Sequence, residues 1–380
     1  MLYGLPSEHC AIRDMARDFA ANKIAPHALD WDRDKHFPVD VIKDAAGLGM
    51  GAIYVGDQHG GTGLGRLEAA LIFEALAAGC PTVAAYLSIH NMCAWIVDKY
   101  GSDDQRRAWL PALCRMDQMA AYCLTEPGSG SDAAALRTSA RRDGSDYILN
   151  GSKQFISGAG AVDCYVVMVR TGAAGPSGIS AVLVPATALG ISFGANERKM
   201  GWNAQPTRTV TFQDCRIPVS NLIGSEGEGF KIAMAALVGG RLNIAACSLG
   251  GAQSAVDKAQ AYMRERVAFG KRLDEFQGLQ FRIADMVTEL EASRMMLYAA
   301  AAAYDRGDDD ATMRSAMAKR FVTDVGFSVA NQALQLFGGY GYLAEYGVEK
   351  IVRDLRVHQI LEGTNEIMRV IIARQLLSVR

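Results

Sequence analysis

The sequence of 380 residues lacks an excess of charge of either sign, with 39 lysines and arginines against 41 aspartates and glutamates. This balance argues against a surface that binds nucleic acid through its overall charge. No apolar run approaches the length that a membrane-spanning helix needs, so we expect no membrane partner. The early acids Glu8, Asp14 and Asp18 leave no room for the apolar segment of a secretory signal. We therefore expect a cytoplasmic chain, or a processed one of the mitochondrial matrix.

Closely spaced cysteines and histidines are also missing. The eight cysteines form no CxxC pair and the six histidines stand alone, whereas structural metal sites need such residues at short spacing. We expect reduced cysteines and no metal ion. The glycine-rich stretch 60–65 has no clear strand before it and no Gly-Lys-Ser/Thr after it. It therefore predicts a loop before a helix, not a phosphate-binding loop.

The residue pattern changes twice along the chain. Residues 1–118 have helical periodicity, residues 119–224 alternate short β-rich runs with turns, and residues 225–380 return to long helical patterns. Several short strands without intervening helices predict a compact β-barrel or sandwich. We therefore expect an α+β multidomain fold with an N-terminal helical domain, a middle β-barrel domain and a C-terminal four-helix bundle.

Three short patterns give local predictions. Asn150-Gly151 between two apolar runs predicts a β-hairpin. Ser225 followed by Glu228 predicts a capping box at the start of a helix. Gly239 and Gly240 lie within a helical pattern, where each costs about 1 kcal/mol relative to alanine, so we expect another group to approach the helix closely there.

Glu362 is the acid with the most unusual sequence context. It follows the apolar pair Ile360-Leu361 and precedes Gly363 and a helical pattern that Thr364 would cap. Desolvation would raise the pKa of this carboxyl and make it a better base near neutral pH, whereas the following helix dipole would lower it. The sequence leaves the sign of the shift open, and an acid that only caps the helix or lies at the surface is the alternative.

Two longer stretches resemble the signatures of the acyl-CoA dehydrogenase family. The first is residues 122–132, with the sequence YCLTEPGSGSD. The second combines residues 335–342, QLFGGYGY, with residues 353–364, RDLRVHQILEGT. The resemblance implies the three-part fold, FAD as the cofactor, and Glu362 as the base that removes the α-proton of an acyl-CoA while a hydride passes to flavin N5.

The resemblance also implies roles for individual residues. The FAD contacts implied in the β-domain and the connector are Tyr122, Leu124, Thr125, Gly130, Ser131, Phe155, Ile156, Ser157, Thr364 and Glu366. A second group, which includes contacts to the FAD of a neighbouring subunit, comprises Arg266, Phe269, Phe276, Gln277, Gln335, Gly338 and Gly339. The implied contacts to the acyl-CoA are Ser131, Val238, Arg241, Gly363 and Arg374. Sharing of the cofactor implies an obligate oligomer, a homotetramer in most of the family, and the implied electron acceptor is an electron-transfer flavoprotein.

Three positions depart from other branches of the family. Phe155 stands where many relatives carry Trp, which predicts altered packing on the flavin rather than lost binding. Gly240 stands where relatives acting on isovaleryl-CoA carry their catalytic Glu, and Leu361 replaces the Tyr of straight-chain relatives. Leu361 and the stretches at residues 88–95, 201–208 and 360–377 most resemble family members that act on a short branched substrate, which implies that isobutyryl-CoA is oxidised to methacrylyl-CoA in valine breakdown.

Other functions remain open at this point. Within the family, the chain could act on 2-methylbutyryl-CoA or butyryl-CoA, or pass its electrons to oxygen as an oxidase. It could also be a flavin-binding protein of the same fold with another task, such as nucleic-acid protection. The balanced charge and the intact Glu362 speak against that last alternative.

Overall fold

The structure is a computed structural model that describes residues 4–377, and it divides into helices, a sheet and helices again. The first helices are α1 Ser7–Phe19, α2 Ala28–Asp34, α3 Val39–Ala46, α4 Arg66–Gly79, α5 Pro81–Tyr100 and α6 Asp103–Cys114. The strands of the middle part are β1 Ala120–Cys123, β2 Ser139–Asp143, β3 Asp146–Ser157, β4 Cys164–Arg170, β5 Ile179–Pro185, β6 Ile191–Phe193, β7 Thr207–Pro218 and β8 Leu222–Ile223. The last part comprises α7 Gly229–Glu265, β9 Val267–Ala268, β10 Lys271–Arg272, α8 Gln277–Arg306, α9 Ala311–Leu336, α10 Val348–Arg356 and α11 Asn365–Leu376.

The N-terminal helices pack around α4 and α5, which are buried over most of their length. The glycine-rich stretch before α4 forms the predicted loop, with Gly65 as the residue that precedes the helix. Its glycines contribute to the fold through backbone conformation, because Gly60 and Gly63 have φ values of 91° and 66°. The phosphate-loop alternative therefore finds no support in this segment.

The middle strands form one mixed sheet in the order β6-β7-β3-β2-β4-β5-β8, with β1 beside β4. The hairpin predicted at Asn150-Gly151 is wrong. Both residues lie inside β3, whose two halves pair with the same strand, β7. The pairing shifts register between Leu149 and Gly151, so the dipeptide forms a bulge instead of a turn. The true hairpin joins β2 to β3 at Gly144, which has a φ of 64°.

The C-terminal part is built around α7, a continuous helix of 37 residues that includes both Gly239 and Gly240. The capping box predicted at Ser225 is only partly correct. The Ser225 N–H donates to the Glu228 carboxylate at 3.0 Å, but the helix begins at Gly229. Gly227 has a φ of 84°, which is incompatible with a helical turn and delays the start of α7.

Helix α7 contacts α4 and α5 on one side and α8 and α9 on the other. Among the described residues it is the helix that is long and apolar enough to cross a membrane by composition. Its most apolar window is 78% buried inside the protein, as expected for the core helix of a folded domain. The side chains that approach α7 from both sides therefore lie at the junction of the domains.

Helix α10 ties the three parts together through the buried carboxylate of Asp354. This carboxylate accepts hydrogen bonds from the Trp202 N–H at 2.6 Å, the Thr82 hydroxyl at 2.9 Å and the Lys350 ammonium at 2.6 Å. Thr82 belongs to α5 and Trp202 to the segment before β7. The connector that follows α10 is therefore anchored to all three domains.

Candidate active site

The connector between α10 and α11 carries Glu362 in a left-handed conformation. Glu362 has a φ of 58° and Gly363 a φ of 87°, a geometry that is unfavourable for a residue with a side chain. Two buried cations hold it. The Arg241 side chain of α7 donates to the Glu362 carbonyl at 3.3 Å, and Lys319 of α9 donates to the Gly363 carbonyl at 2.8 Å. Both positive charges are thus bonded to the backbone of the connector rather than to the Glu362 carboxylate.

The Glu362 carboxylate itself is enclosed and poorly solvated. Its Oε2 is buried and has no hydrogen-bond partner among the described residues. Burial raises the pKa of this carboxyl from its usual 4.5 to about 7, against the opposing pull of Arg241 and Lys319. Desolvation therefore decides the question that the sequence left open, and the carboxyl is poised to accept a proton near neutral pH.

Gly240 makes room for this carboxylate. A Cβ at Gly240 would lie 2.5 Å from Oε2 of Glu362, closer than any side chain tolerates. The close approach that the glycine pair predicts is confirmed at this position. The same contact shows that Gly240 and the Glu362 carboxylate face one small volume.

Lys319 belongs to a buried polar cluster beneath the connector. It also donates to Oδ1 of Asn365 at 2.9 Å, while the Asn365 amide donates to Asp324 at 2.7 Å. Burial lowers the pKa of the Lys319 ammonium to about 8, although Glu362 pulls it upward. The cluster fixes the first turn of α11, where the Thr364 hydroxyl accepts from the Ile367 N–H at 3.4 Å.

His358 supports the connector from the other end. The Trp202 indole N–H donates to Nε2 of His358 at 3.2 Å, so Nδ1 carries the proton and donates to the Ser248 hydroxyl at 2.6 Å. Burial lowers the pKa of His358 to about 3, so the ring is neutral over the physiological range. The ring thus links Trp202, in the segment before β7, to Ser248 of α7 through two hydrogen bonds.

Three of the residues predicted in the middle domain, Leu124, Thr125 and Phe155, lie along one strip. The Gln154 N–H donates to the Thr125 carbonyl at 2.8 Å, which brings Leu124 and Thr125 beside the segment that carries Phe155. Phe155 has a φ of 60° and is 64% exposed, so its ring lies at the surface of this strip. Ile156, by contrast, is buried in the core.

A buried ion pair holds the strip in place. The Lys153 ammonium donates to the Leu124 carbonyl at 3.1 Å and to the Glu126 carboxylate at 2.7 Å. The same carboxylate accepts from the backbone N–H groups of Arg137 and Thr138. Because both charges are paired and hydrogen-bonded, this arrangement satisfies the requirements for burying an ion pair.

A groove of about 760 Å³ lies at the far end of α7 and α9. Its walls bring together four predicted residues, namely Arg266, Gln335, Gly338 and Gly339. The Arg266 guanidinium lies 5.2 Å from the ring centre of Tyr340. Phe269 is not part of the groove wall; 96% of its surface is exposed, and its ring centre is 6.4 Å from that of Phe276.

The comparisons with known proteins agree along the whole chain. Three domain families match in succession: "Acyl-CoA dehydrogenase, N-terminal domain" at residues 6–117, "middle domain" at 121–215 and "C-terminal domain" at 227–377. The chain belongs to the acyl-CoA dehydrogenase family. It is 54% identical over 374 residues to the "Isobutyryl-CoA dehydrogenase, mitochondrial" of Bos taurus, with 98% of this chain and 90% of that protein covered.

Two solved structures show the same fold. The butyryl-CoA dehydrogenase of Megasphaera elsdenii superposes with a TM-score of 0.96 at 37% identity, with 99% of this chain and 100% of that one covered. The FAD complex of a protein named PigA superposes with a TM-score of 0.94 at 31% identity, with 99% of each chain covered. This acyl-CoA dehydrogenase is therefore an FAD-dependent oxidoreductase.

The residues of this acyl-CoA dehydrogenase fit such a cofactor. A Cβ at Gly130, Gly338 or Gly339 would meet nothing within 4 Å, so the backbone at these glycines is open to a ligand. The Tyr122 hydroxyl is buried and has no partner within residues 4–377. It lies close enough to Glu362 for that carboxylate to add to the effect of burial, which raises the pKa of Tyr122 well above its usual value.

Not every predicted residue lies beside the base. Arg374 is exposed in the last turn of α11, roughly 15 Å along the helix from Thr364. Ser131, Gln277 and Glu366 are exposed, whereas Val238 and Ser157 are half-buried. The contacts of these residues to ligands stay predictions.

The sequence analysis missed the polar residues that shape the Glu362 cleft. Lys319 and Asn365 bond to the connector or to each other. Tyr54 is near enough to feel the charge of Glu362, and Arg66 and Asn243 contact Tyr54. They come from segments far apart in the chain, within helical or loop patterns that give no sign of chemistry. For Lys319, the one available sign is a charge within the alanine-rich, core-facing stretch of a helix.

Proposed function

We propose that the protein oxidises a short branched acyl-CoA, isobutyryl-CoA to methacrylyl-CoA, with Glu362 as the base. The observation that carries this proposal is the enclosed carboxylate of Glu362, which has no hydrogen-bond partner among the described residues and a pKa of about 7. The relative at 54% identity bears the name isobutyryl-CoA dehydrogenase, whereas the butyryl-CoA dehydrogenase structure is 37% identical. That difference favours the branched substrate over the linear one.

Glu362 removes the proton from the α-carbon of the thioester. Its Oε2 is free to accept because neither Arg241 nor Lys319 is bonded to it. Arg241 and Lys319 bind the backbone carbonyls of Glu362 and Gly363. The Glu362 side chain therefore stays in position when its carboxylate gains or loses a proton. The positive charge of the two cations also stabilises the ionised form enough for the base to be available at neutral pH.

The connector also offers a donor to the substrate carbonyl. The Glu362 N–H has no hydrogen-bond partner within residues 4–377. An N–H aimed at the thioester oxygen stabilises the negative charge that develops there as the α-proton leaves. The left-handed conformation of Glu362 thus serves both the side chain and the amide of the same residue.

When bound, FAD supplies the acceptor for the hydride of the β-carbon, which no side chain can accept. The strip of Leu124, Thr125 and Phe155 would hold its ring, and the donors of the stretch 128–131 suit the pyrophosphate. The groove with Arg266 would hold the phosphate or adenosine end, since Arg is well suited to pyrophosphate.

The assembly and the electron acceptor complete the proposal. Phe269 and Tyr342, which are close in sequence to residues of the groove wall, have 96% and 84% of their surfaces accessible. Such a groove suits a cofactor shared with a second copy of the chain, and we propose a homotetramer. We propose an electron-transfer flavoprotein as the acceptor that reoxidises the FAD.

The decisive experiment is anaerobic bleaching of the flavin by a panel of acyl-CoAs. We expect isobutyryl-CoA to bleach the purified yellow protein fastest, ahead of 2-methylbutyryl-CoA, butyryl-CoA and isovaleryl-CoA. Fastest bleaching by butyryl-CoA would instead indicate the straight-chain alternative, and no bleaching by any of them would indicate a role other than dehydrogenation. Peroxide formed in air without an added acceptor would identify an oxidase.

Glu362→Gln tests the base in the same assay. The variant should bind FAD and acyl-CoA as the wild type does, yet the rate of bleaching should fall by about a thousandfold or more, because general-base catalysis contributes that order of rate. Glu345→Gln, which changes an exposed acid before α10, is the matched control and should bleach normally. Wild-type bleaching by Glu362→Gln would remove this residue from the mechanism.

A further inference from the structure

Arg66 is a buried cation close to Glu362 for which the proposed mechanism has no use. It is the first residue of α4 and only 3% exposed. Its guanidinium carbon lies 3.5 Å from the ring centre of Tyr54, 5.4 Å from that of Trp95 and 5.3 Å from that of Tyr304. Three aromatic rings thus surround one guanidinium, an arrangement that stabilises a desolvated cation through the ring faces.

No carboxylate pairs with this guanidinium within residues 4–377. Asp305 lies nearby, but its carboxylate accepts from the backbone N–H groups of Arg66 and Leu67, at 2.7 and 3.0 Å. The Nη2 group of Arg66 is buried and has no hydrogen-bond partner among the described residues. A buried donor in this state calls for an explanation, because leaving it unpaired is costly.

The guanidinium lies next to the catalytic volume. A Cβ at Gly239 would lie 2.5 Å from the guanidinium carbon of Arg66, and a Cβ at Gly240 would lie 2.5 Å from Oε2 of Glu362. Two adjacent glycines of α7 therefore make room for the cation and for the base. The Tyr54 ring contacts Arg66, and the Tyr54 hydroxyl is near enough to Glu362 to feel its charge.

A second orphaned polar group faces the same place. The Asn243 amide donates to the Tyr54 hydroxyl at 3.1 Å, while Oδ1 of Asn243 is buried without a partner in the part of the chain that the structure describes. Asn243 follows the glycine pair by one turn of α7. A donor on Arg66 and an acceptor on Asn243 thus remain open beside an otherwise apolar and aromatic wall.

We propose that Arg66, with Asn243, forms a polar end wall of the acyl pocket and limits the length of the acyl chain that the enzyme accepts. The inference rests on the proposed function and names the class of substrate more closely. A short acyl group stops before the wall. A longer apolar chain meets a guanidinium and an amide oxygen that a hydrocarbon cannot pair, an unfavourable contact that one methylene of added burial does not offset.

The wild-type enzyme provides the first test. With butyryl-CoA, pentanoyl-CoA and hexanoyl-CoA, kcat/KM should fall about tenfold or more at the length that reaches the wall, the size of penalty expected for one unpaired buried group. Equal kcat/KM values across the three linear chains would overturn the proposal without any variant. The acyl-CoAs that end in a carboxylate, succinyl-CoA and glutaryl-CoA, form a separate arm. If either is preferred to isobutyryl-CoA, Arg66 pairs with the substrate and the proposal is wrong.

The second test replaces the cation by a side chain of similar length. Arg66→Met should raise kcat/KM for hexanoyl-CoA relative to isobutyryl-CoA about tenfold or more, mainly through KM. The long chain would then meet an apolar side chain instead of a guanidinium that it cannot pair. Arg66→Lys keeps the charge and should keep the short-chain preference. FAD content and melting temperature establish that each variant is folded. If Arg66→Met does not fold, Asn243→Leu tests the same wall from α7, with a smaller shift in the same direction expected.

The outcomes separate the two levels of inference. If wild-type enzyme is bleached by isobutyryl-CoA while Arg66→Met and Asn243→Leu keep the wild-type ratio of kcat/KM for hexanoyl-CoA and isobutyryl-CoA, the end wall is wrong and the proposed function stands. If no acyl-CoA bleaches the wild-type flavin, the proposed function itself fails. A loss of turnover on all chain lengths alike in Arg66→Met would show that Arg66 serves only the fold, which also overturns the proposal.

Discussion

At the scale of single residues, the chemistry of Glu362 depends on which of its atoms are hydrogen-bonded. The carbonyls of Glu362 and Gly363 each accept from a buried cation, whereas Oε2 of Glu362 has no partner among the described residues. A carboxylate bonded to both cations would have a low pKa and would be a poor base. The observed arrangement keeps the positive charges near enough to stabilise ionisation and far enough to leave an accepting oxygen.

This arrangement predicts how the activity depends on pH. Glu362 must be ionised to accept a proton, so kcat/KM should rise with pH through about 7, the pKa of its carboxyl. Lys319 pulls that pKa down. Lys319→Met should therefore move the rising limb to higher pH, with a larger loss of activity at pH 6 than at pH 8. The measurement is the pH profile of kcat/KM.

Lys319→Arg is the control, because it keeps the charge and should keep the limb near its wild-type position if it folds. Lys319→Met should also lower the free energy of unfolding by about 1–3 kcal/mol, since it leaves the Gly363 carbonyl and Asn365 short of a donor. An unchanged or lower midpoint in the pH profile of Lys319→Met would contradict the electrostatic role.

At the scale of elements, the connector after α10 is held by its neighbours. Thr364 caps α11 as the sequence predicts, but a cap alone does not fix the left-handed pair before it. His358 is hydrogen-bonded to both Trp202 and Ser248. Asp354 joins α10 to Trp202, before β7, and to Thr82 of α5. The position of the base thus depends on hydrogen bonds from elements that do not touch the substrate.

Asp354→Asn tests this dependence. Lys350 is 2% exposed, and its ammonium donates to the Asp354 carboxylate, so the substitution leaves a buried cation without its counter-ion. We expect the free energy of unfolding to fall by about 3–5 kcal/mol, measured by urea denaturation. Asp103→Asn, an exposed acid in the first turn of α6, should change it by less than about 1 kcal/mol. Equal stability of the two variants would show that the junction does not depend on this charge pair.

At the scale of the whole molecule, the glycine-rich end of α9 and the turn after α7 form a groove that lies apart from Glu362. Arg266, Gln335 and Gly338 meet there although they come from different helices and turns. The base lies on the connector, the strip with Phe155 lies on the sheet, and this groove lies at the far end of the helices. An elongated cofactor shared between copies would use all of these surfaces.

Arg266→Gln tests the groove against a matched control on the same helix end. We expect Arg266→Gln to bind FAD about tenfold more weakly, the usual size of a lost charge-assisted hydrogen bond. Arg264→Gln removes a charge that lies outside this groove and should bind FAD as the wild type does. FAD affinity is measured by titration of the apoprotein, with the oligomeric state followed by ultracentrifugation. Equal affinities for the two variants would place the FAD elsewhere.

Much of the fold could be predicted from the sequence because it is encoded by local patterns. The boundaries of α3, the cap of α11 and the glycine at the end of α8 follow from capping and backbone preferences that act within a few residues. The family signatures likewise gave the cofactor, and they imply Glu362 as the base. The hairpin at Asn150-Gly151 was wrong because the same dipeptide also suits a bulge, and only pairing with β7, far along the chain, decides between the two.

The sequence by itself determined that Glu362 precedes a capped helix, that α7 carries two glycines, and that the chain belongs to a flavin-dependent fold. Only the tertiary structure decided that the pKa of Glu362 is raised, because the burial of its carboxyl outweighs the opposing pull of Arg241 on α7 and Lys319 on α9. It also decided that the two glycines make room for Arg66 and Glu362. Burial and electrostatic interactions depend on the distance between two groups in space. That distance cannot be read from their separation along the chain.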